Sequence, residues 1–310
     1  MVLLSHRIHF WEVNDQPWFP QFLREMVQST LTLLWQYRVP VIQKASPAHL
    51  VVDTLYKTFS TDVTEYTYVD FCAGAGGPTP FIEKQLNAQL SARNTQSSAS
   101  GVTQTNGVNG LSYRSPRVDR FDKGGVKFVL TDIHPHIPDW TEAAKKSEHL
   151  SFVKESVDAA NAPVQLNGTD GKKIFRLYNL AFHHFDDNLG SDILRNTLDT
   201  ADGFGIFELQ DRSISSMFTI SLIGFLLILI TPFYFWRSPG HLFFTYIIPI
   251  IPLVVVWDGL ISSLRTRTPD EIEHLMKNCG ADSAGWTIQS GHEQHTWPTG
   301  YMFWFIASKK

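Results

Sequence analysis

Asp70, Gly74, Gly76 and Gly77 stand together in "VDFCAGAGGPTP", directly after one apolar run and directly before another with helical spacing. Glycine in such a turn either adopts positive φ or keeps the backbone bare so that a ligand can lie against it. A dinucleotide turn would read G-x-G-x-x-G, with its pyrophosphate on the helix N-terminus. Here G-A-G-G-P-T-P runs on to Pro80 in place of a third glycine, which disfavours a nicotinamide dinucleotide. Other residues with chemistry to offer are Asp132 in "VLTDIHP", Asp158 in "VDAANAP", the pair His183-His184 in "NLAFHHFDD", and Glu208 and Asp211 in "FELQD". A histidine near its ordinary pKa suits proton transfer from a hydroxyl at neutral pH, with His184 the first choice and Glu208 or Asp211 as other bases or orienting groups. His292, Glu293 and His295 read H-E-x-H in a strand-to-loop setting, not H-E-x-x-H on a helix, so no metal is expected there.

These residues need elements to carry them. "YTYVDF" is a strand, followed by a helix over 79–90 with Thr79 as its cap and Pro80 in its first turn. Further strands are expected over 126–133, 150–159, 172–182 and 203–210, with helices over 140–149 and 186–201 between them. Apolar strands alternating with helices argue for a parallel sheet covered on both faces. In such a sheet ligands sit at the carboxyl ends of the strands, where the strand order reverses. Near the end of the chain, Thr268, Pro269 and Glu271 form a capping box, and Gly280 closes the helix. "GWTIQSGHEQ" and "GYMFWFIASKK" then make an antiparallel pair, the second of them without a polar face and so inside the sheet.

The arrangement resembles class I S-adenosylmethionine-dependent methyltransferases. Asp70, Gly74 and Gly76 match the family's acid-x-Gly-x-Gly-x-Gly turn, with Cys72 in place of its first glycine. Asp132 matches the acid that holds the ribose, Asp158 and Ala159 the pair beside the adenine, and "NLAFHHFDD", from Asn179, the fourth motif. The resemblance implies a Rossmann-like seven-stranded sheet, mostly parallel with the last strand antiparallel, and S-adenosylmethionine as cofactor. It implies cofactor contacts at Asp70, Cys72, Gly74, Gly76, Gly77, Asp132, Asp158, Ala159 and Asn179. His184, His183 and Glu208 are the residues expected to act on the acceptor. A nicotinamide-dependent oxidoreductase on a similar sheet, or a silent scaffold keeping the fold, are the alternatives.

Bulk properties set limits on partners. The net charge of −4 makes no electrostatic case for nucleic acid, and two cysteines, Cys72 and Cys279, are too few for a disulfide framework. The start "MVLLSHRIHFWEVND" does not read as a signal peptide. Residues 1–65 form a helical cap, with Phe19, Phe22, Leu23, Met26, Val27 and Leu31 on one stripe, packing on the domain or closing over a pocket. The methyltransferase-like domain occupies 66–212 and 258–310; residues 91–125, rich in Ser, Asn, Thr and Gly, read as a disordered insertion. Residues 213–257 are an apolar block without charge between Arg212 and Arg237, read as a two-pass or re-entrant membrane hairpin, the alternative being a buried hydrophobic hairpin that caps the active site without lipid. Trp236 and Trp257 would sit at the interface, and Arg265 and Arg267 would put the catalytic side in the cytosol. A hydrophobic small molecule or lipid is the acceptor this suggests, with no metal and no nucleic acid. A similar segment occurs in a poorly described, membrane-associated group of methyltransferases.

Overall fold

The computed structural model describes residues 7–100, 125–164, 166 and 171–310. Two helices, α1 (Gln21–Gln36) and α2 (Pro47–Phe59), precede the sheet. The sheet contains β1 (Tyr66–Phe71), β2 (Phe128–Thr131), β3 (Leu150–Phe152), β4 (Lys173–Asn179), β5 (Gly203–Glu208), β6 (Trp286–Thr296) and β7 (Gly300–Lys309) in the spatial order 3-2-1-4-5-7-6. β1 pairs in parallel with both β2 and β4, so the order reverses at β1. β7 runs antiparallel to both neighbours and sits between β5 and β6, where "MFWFIA" has buried positions on both faces.

Alternating residues of the strands feed two separate cores. Tyr68, Phe128, Leu130 and Phe175 pack under α2, α3 (Thr79–Ser100) and α4 (Ile137–Ala144). Val69, Phe71, Tyr178 and Phe204 pack under α5 (Asp187–Thr200) and α9 (Pro269–Asn278). Strands buried on both faces have no use for a polar side, which explains their continuous apolar runs. The caps are local: Asp186 accepts from Leu189 N at 2.8 Å, and Thr268 and Glu271 exchange both bonds of the capping box.

Several expectations shift. α3 does not stop at 90 but continues to Ser100, so the first ten residues of the expected disordered insertion are helical. Ser91 and Thr95 return their hydroxyls to carbonyls one turn back, at 2.9 and 3.0 Å, so these polar side chains bond within the helix. The rest of that insertion, 101–124, lies outside the described residues. β3 is three residues long instead of ten, because Lys154, Glu155 and Ser156 are exposed and have no core to enter. The helix expected over 140–149 starts earlier, at Ile137-Pro138.

The apolar block folds as three helices: α6 (Ile214–Tyr234), α7 (Pro239–Tyr246) and α8 (Ile250–Arg265), the last running past the expected boundary at 257. α7 and α8 are bent by 71° at the break that holds Pro249. α1 packs on this hairpin through Phe19, Leu23 and Val27 against Leu227, Ile251, Val254 and Val255, a third core.

Candidate active site

The turn after β1 sits at the switch point. Cys72, Gly74, Gly76 and Gly77 all have positive φ, at 64°, 52°, 107° and 48°. A Cβ on Gly74 would meet nothing within 4 Å, so the chain is bare on that side. Cys72 holds the same left-handed conformation without glycine's freedom, a cost that the expected substitution of the first glycine already carried. Burial, followed by the carboxylates of Asp132 and Asp70, pushes its thiol pKa up.

Three acids were expected around this turn, and each has its own task. Asp132, after β2, accepts from Gly74 N at 2.9 Å and from His134 N at 2.8 Å, so it shapes the glycine turn and its own. Trp140 Nε1 holds the other side of Gly74 through its carbonyl, at 2.8 Å. Asp158 closes a turn by accepting from Ala160 N (2.9 Å) and Asn161 Nδ2 (2.7 Å), with Ala159 buried beside it. Asp70 lies under the turn, fully buried. Its carboxyl accepts from Thr79 Oγ1 at 2.5 Å and Asn179 Nδ2 at 3.4 Å, and burial pushes its pKa up to about 7. Thr79 therefore does not cap α3 with its hydroxyl; the group is committed to Asp70, a partner nine residues upstream. Asn179, at the end of β4, donates to both Asp70 and Thr79 while its buried Oδ1 has no partner.

One residue beyond Asn179 the chain enters a second feature, a cavity of about 200 Å³. Its walls are apolar side chains of α1, α6 and α8, such as Val27, Leu31, Ile223 and Val255. Its polar end is made by Glu12, Asp15, His183, His184 and Gln210. His183 and Glu208 are each about 2% exposed; Nδ1 lies 2.8 Å from Oε2, and His183 N donates to Oε1 at 3.1 Å. Gln210 Nε2 also donates to Oε2, at 3.2 Å. Two donors, His183 N and Gln210 Nε2, already converge on Glu208, and an Nδ1 hydrogen on His183 makes a third; we assign that tautomer, which leaves the Nε2 lone pair toward Glu12 Oε1, 3.8 Å away. His184 stands at the rim, its Nδ1 3.2 Å from Asp15 Oδ2. Burial works against its charge, but Asp15 and Glu12 outweigh that and its pKa is raised.

The structure thus brings Asp70, Asn179, Asp132 and the glycines together, and beside them His183, His184 and Glu208. Asp211 turns away to accept from Ser213 Oγ at the start of α6. His292, Glu293 and His295 do not converge: Glu293 pairs with Lys57, and His295 is buried against Thr296 and Leu209 O. Sequence reasoning passed over Glu12 and Asp15, whose partners are some 170 to 250 residues away. It also read Arg265 and Arg267 as membrane-flanking cations. Both are buried: Arg265 binds Glu12 at 2.9 Å, and Arg267 binds the carbonyls of Phe182, Phe185 and Asp186. They are structural ties between α8, the N-terminal segment and the turn after β4, and give no information on membrane orientation.

The strand order, the reversed last strand and the glycine turn at the switch point agree with the seven-stranded, mostly parallel sheet that the resemblance implies. The chain matches no protein-family profile and no curated protein sequence. Among solved structures it is similar to the pyocyanin biosynthetic protein PhzM (13% identity, TM-score 0.42, covering 85% of this chain and 55% of that one). It is similar also to a pericyclic reaction enzyme (13%, 0.42, 94% and 53%) and to the plantazolicin methyltransferase BamL in complex with a triazolic desmethylPZN analog and SAH (11%, 0.42, 93% and 98%). The chain spans just over half the length of the first two.

Proposed function

We propose that the protein transfers a methyl group from S-adenosylmethionine to a hydrophobic small molecule or lipid held in the cavity between α1, α6 and α8. The observation that carries this reading is one of adjacency. The bare turn at Gly74 and the cavity's His183 end lie on consecutive stretches of the same sheet edge, joined by Asn179 and Leu180. The residues fit the cofactor on two counts: open space over Gly74, and a buried Asn179 Oδ1 that lacks a donor. Gly74, Gly76 and Gly77 would receive it, with Asp132 on its hydroxyls, Asp158 and Ala159 beside its base, and Cys72, Asp70 and Asn179 beneath. When bound it supplies a methyl group already activated by a sulfonium, so positioning is the protein's main contribution. His183, oriented by Glu208, and His184 would meet the acceptor's heteroatom, while the aliphatic walls exclude water and hold its apolar part.

The test is direct. Incubation with methyl-labelled S-adenosylmethionine and a lipid extract is expected to move label into the organic phase. S-adenosylmethionine or its demethylated product should raise the melting temperature, and nicotinamide dinucleotides should not. A shift with the dinucleotides alone would instead support the oxidoreductase reading, and binding without any transfer the silent scaffold.

Among the described residues one helix, α6, is long and apolar enough to cross a membrane, and the bent pair of α7 and α8 passes the same test only if the two are one broken span. Phe218, Leu222, Phe225, Leu229 and Phe233 make an exposed stripe along α6, at spacings of three and four, and Trp236 follows. Its other side is covered. α1 packs on Leu227, in the middle of the helix, and carries the exposed, hydrogen-bonded pair Gln21 and Glu25. An apolar stripe on one side of the helix and packed protein on the other suit the re-entrant alternative: the stripe lies in one leaflet while the sheet stays in water. Replacing Phe225 and Leu229 by glutamate is expected to abolish flotation with phosphatidylcholine vesicles and to leave cofactor binding within twofold. Unchanged flotation would remove the stripe from the membrane contact.

A further inference from the structure

We infer that the polar end of the cavity holds a divalent transition-metal ion, ligated by Glu12, His183 and His184, with Asp15 at its open side. This goes beyond the proposed methyl transfer, and rests on it only for what the ion would act upon. It also departs from the sequence reading, which expected no metal; the ligands come from two segments 171 residues apart that no local motif connects.

The donor atoms converge from both segments. One ligand atom from each of Glu12, His183 and His184 lies within 4.8 Å of the others. His183 Nε2 is 3.8 Å from Glu12 Oε1, His184 Nδ1 is 3.9 Å from Glu12 Oε2, and His184 Nδ1 is 3.2 Å from Asp15 Oδ2. Two metal bonds of about 2.0–2.1 Å at a tetrahedral angle hold their donors about 3.3 Å apart. The two contacts to Glu12, made by different oxygens of one carboxylate, would close by roughly half an ångström, and His184 Nδ1, now hydrogen-bonded to Asp15, would turn its lone pair to the ion.

The surroundings are those of a ligand set. His183 donates its other ring nitrogen to the buried Glu208, the carboxylate–imidazole arrangement that fixes a metal-binding tautomer and raises the ligand's basicity. Glu12 Oε1 takes bonds from Ser262 Oγ and Arg265 Nη1, at 3.0 and 2.9 Å, which hold the carboxylate in place and leave Oε2 toward His184. Charge agrees as well. Three carboxylates, of Glu12, Asp15 and Glu208, meet at the two imidazoles, and Arg265 is the cation bonded into them. Two imidazoles with a carboxylate select zinc, iron, manganese or cobalt over magnesium and calcium, which prefer an all-oxygen shell. The remaining coordination positions would face the cavity. An acceptor's oxygen bound there would be oriented and made more acidic by the ion; His183 and His184 would then meet the acceptor through the ion, as its ligands, and not as the proton's recipients.

The experiment uses the full chain, stripped with a chelator and titrated with Zn2+ by calorimetry and with Co2+ by visible absorption. One equivalent of each is expected, with a Co2+ spectrum of four- or five-coordinate nitrogen–oxygen type. His184→Ala, at the rim, and Glu12→Gln should each weaken binding at least thirtyfold, with circular dichroism and urea midpoints verifying that both are folded. His292→Ala, a histidine on β6 outside the cluster, should bind like the parent. Absence of a stoichiometric Zn2+ site, or its survival in folded His184→Ala, overturns the inference. Labelled-methyl transfer that persists in the metal-free chain would also overturn the ion's action on the acceptor and leave the methyltransferase reading intact. Stoichiometric metal binding without any transfer would do the reverse.

Discussion

Asp132→Ala is expected to bind S-adenosylmethionine about a hundredfold more weakly than the parent chain in isothermal titration. The side chain has two tasks at one position. β1 and β2 pair with Phe71 opposite Thr131, so the residue after β2 stands beside the turn after β1. From there one carboxylate oxygen holds Gly74 N at 2.9 Å and the other holds His134 N at 2.8 Å. The same carboxylate is the one proposed to take the cofactor's hydroxyls. Hydrogen bonds to a charged acceptor contribute about 1.5–3 kcal/mol each, so losing two, together with the set of the turn, corresponds to roughly 3 kcal/mol or more, which is about two decades in Kd. Asp132→Asn separates the tasks. Its amide oxygen can still accept from Gly74, so the turn keeps its shape, but the charge and one acceptor are gone and an intermediate loss is expected. Affinity within threefold of the parent in both variants, with the chains folded, would mean that Asp132 only supports the turn.

How far this architecture could be read from the residues depends on the range of the interaction concerned. The sheet order follows from local signals: unbroken apolar runs for the parallel strands, "HTWPT" for the antiparallel return, and a glycine turn that helices on both faces place at the carboxyl edge. The capping box at Thr268 is equally local, with both partners within one turn. Thr79 has the sequence signature of a cap, yet its hydroxyl goes to Asp70, because an acid buried under the turn has few other donors to meet. The length of β3 was overread because Val153 and Val157 are buried and each donates one bond to the chain of β2 and its end, while the residues between them leave the sheet. Glu12 and Asp15 had no signal at all. They sit in an aromatic-rich segment and gain meaning only when α8 and the turn after β4 are folded against them. Arg265 and Arg267 misled for a physical reason: charge beside an apolar run marks a membrane edge only if the charge reaches water, and here both guanidiniums are buried and spent on backbone carbonyls and on the carboxylates of Glu12 and Asp187.

Asp70→Asn is expected to stabilise the cofactor-free protein at pH 8 by a few kcal/mol and to change it little at pH 4, measured as urea midpoints of variant and parent side by side. Burial, opposed by the Thr79 bond and aided by the charge of Asp132, raises the Asp70 carboxyl to about 7, against about 3.9 for an aspartate in an unfolded chain. Between those two values the folded protein keeps a proton that the unfolded chain has released. Stability therefore falls as pH rises from about 4 to about 7, and the whole penalty is in force at pH 8. At about 1.4 kcal/mol per pH decade the limit is near 4 kcal/mol. Asparagine has no charge to bury and keeps an oxygen for Thr79. Its amide nitrogen can also supply what Asn179 Oδ1 lacks, a donor within the buried cluster. The variant minus parent difference isolates this group from every other one that titrates over the same range. A gap that is equal at both pH values would mean that Asp70 is already ionised in the fold, and a variant less stable at pH 8 would mean that the charge is held by a partner the buried cluster does not show. A gain that opens between about pH 4 and pH 7 would place beneath the glycine turn a carboxyl that stays protonated until the pH approaches about 7.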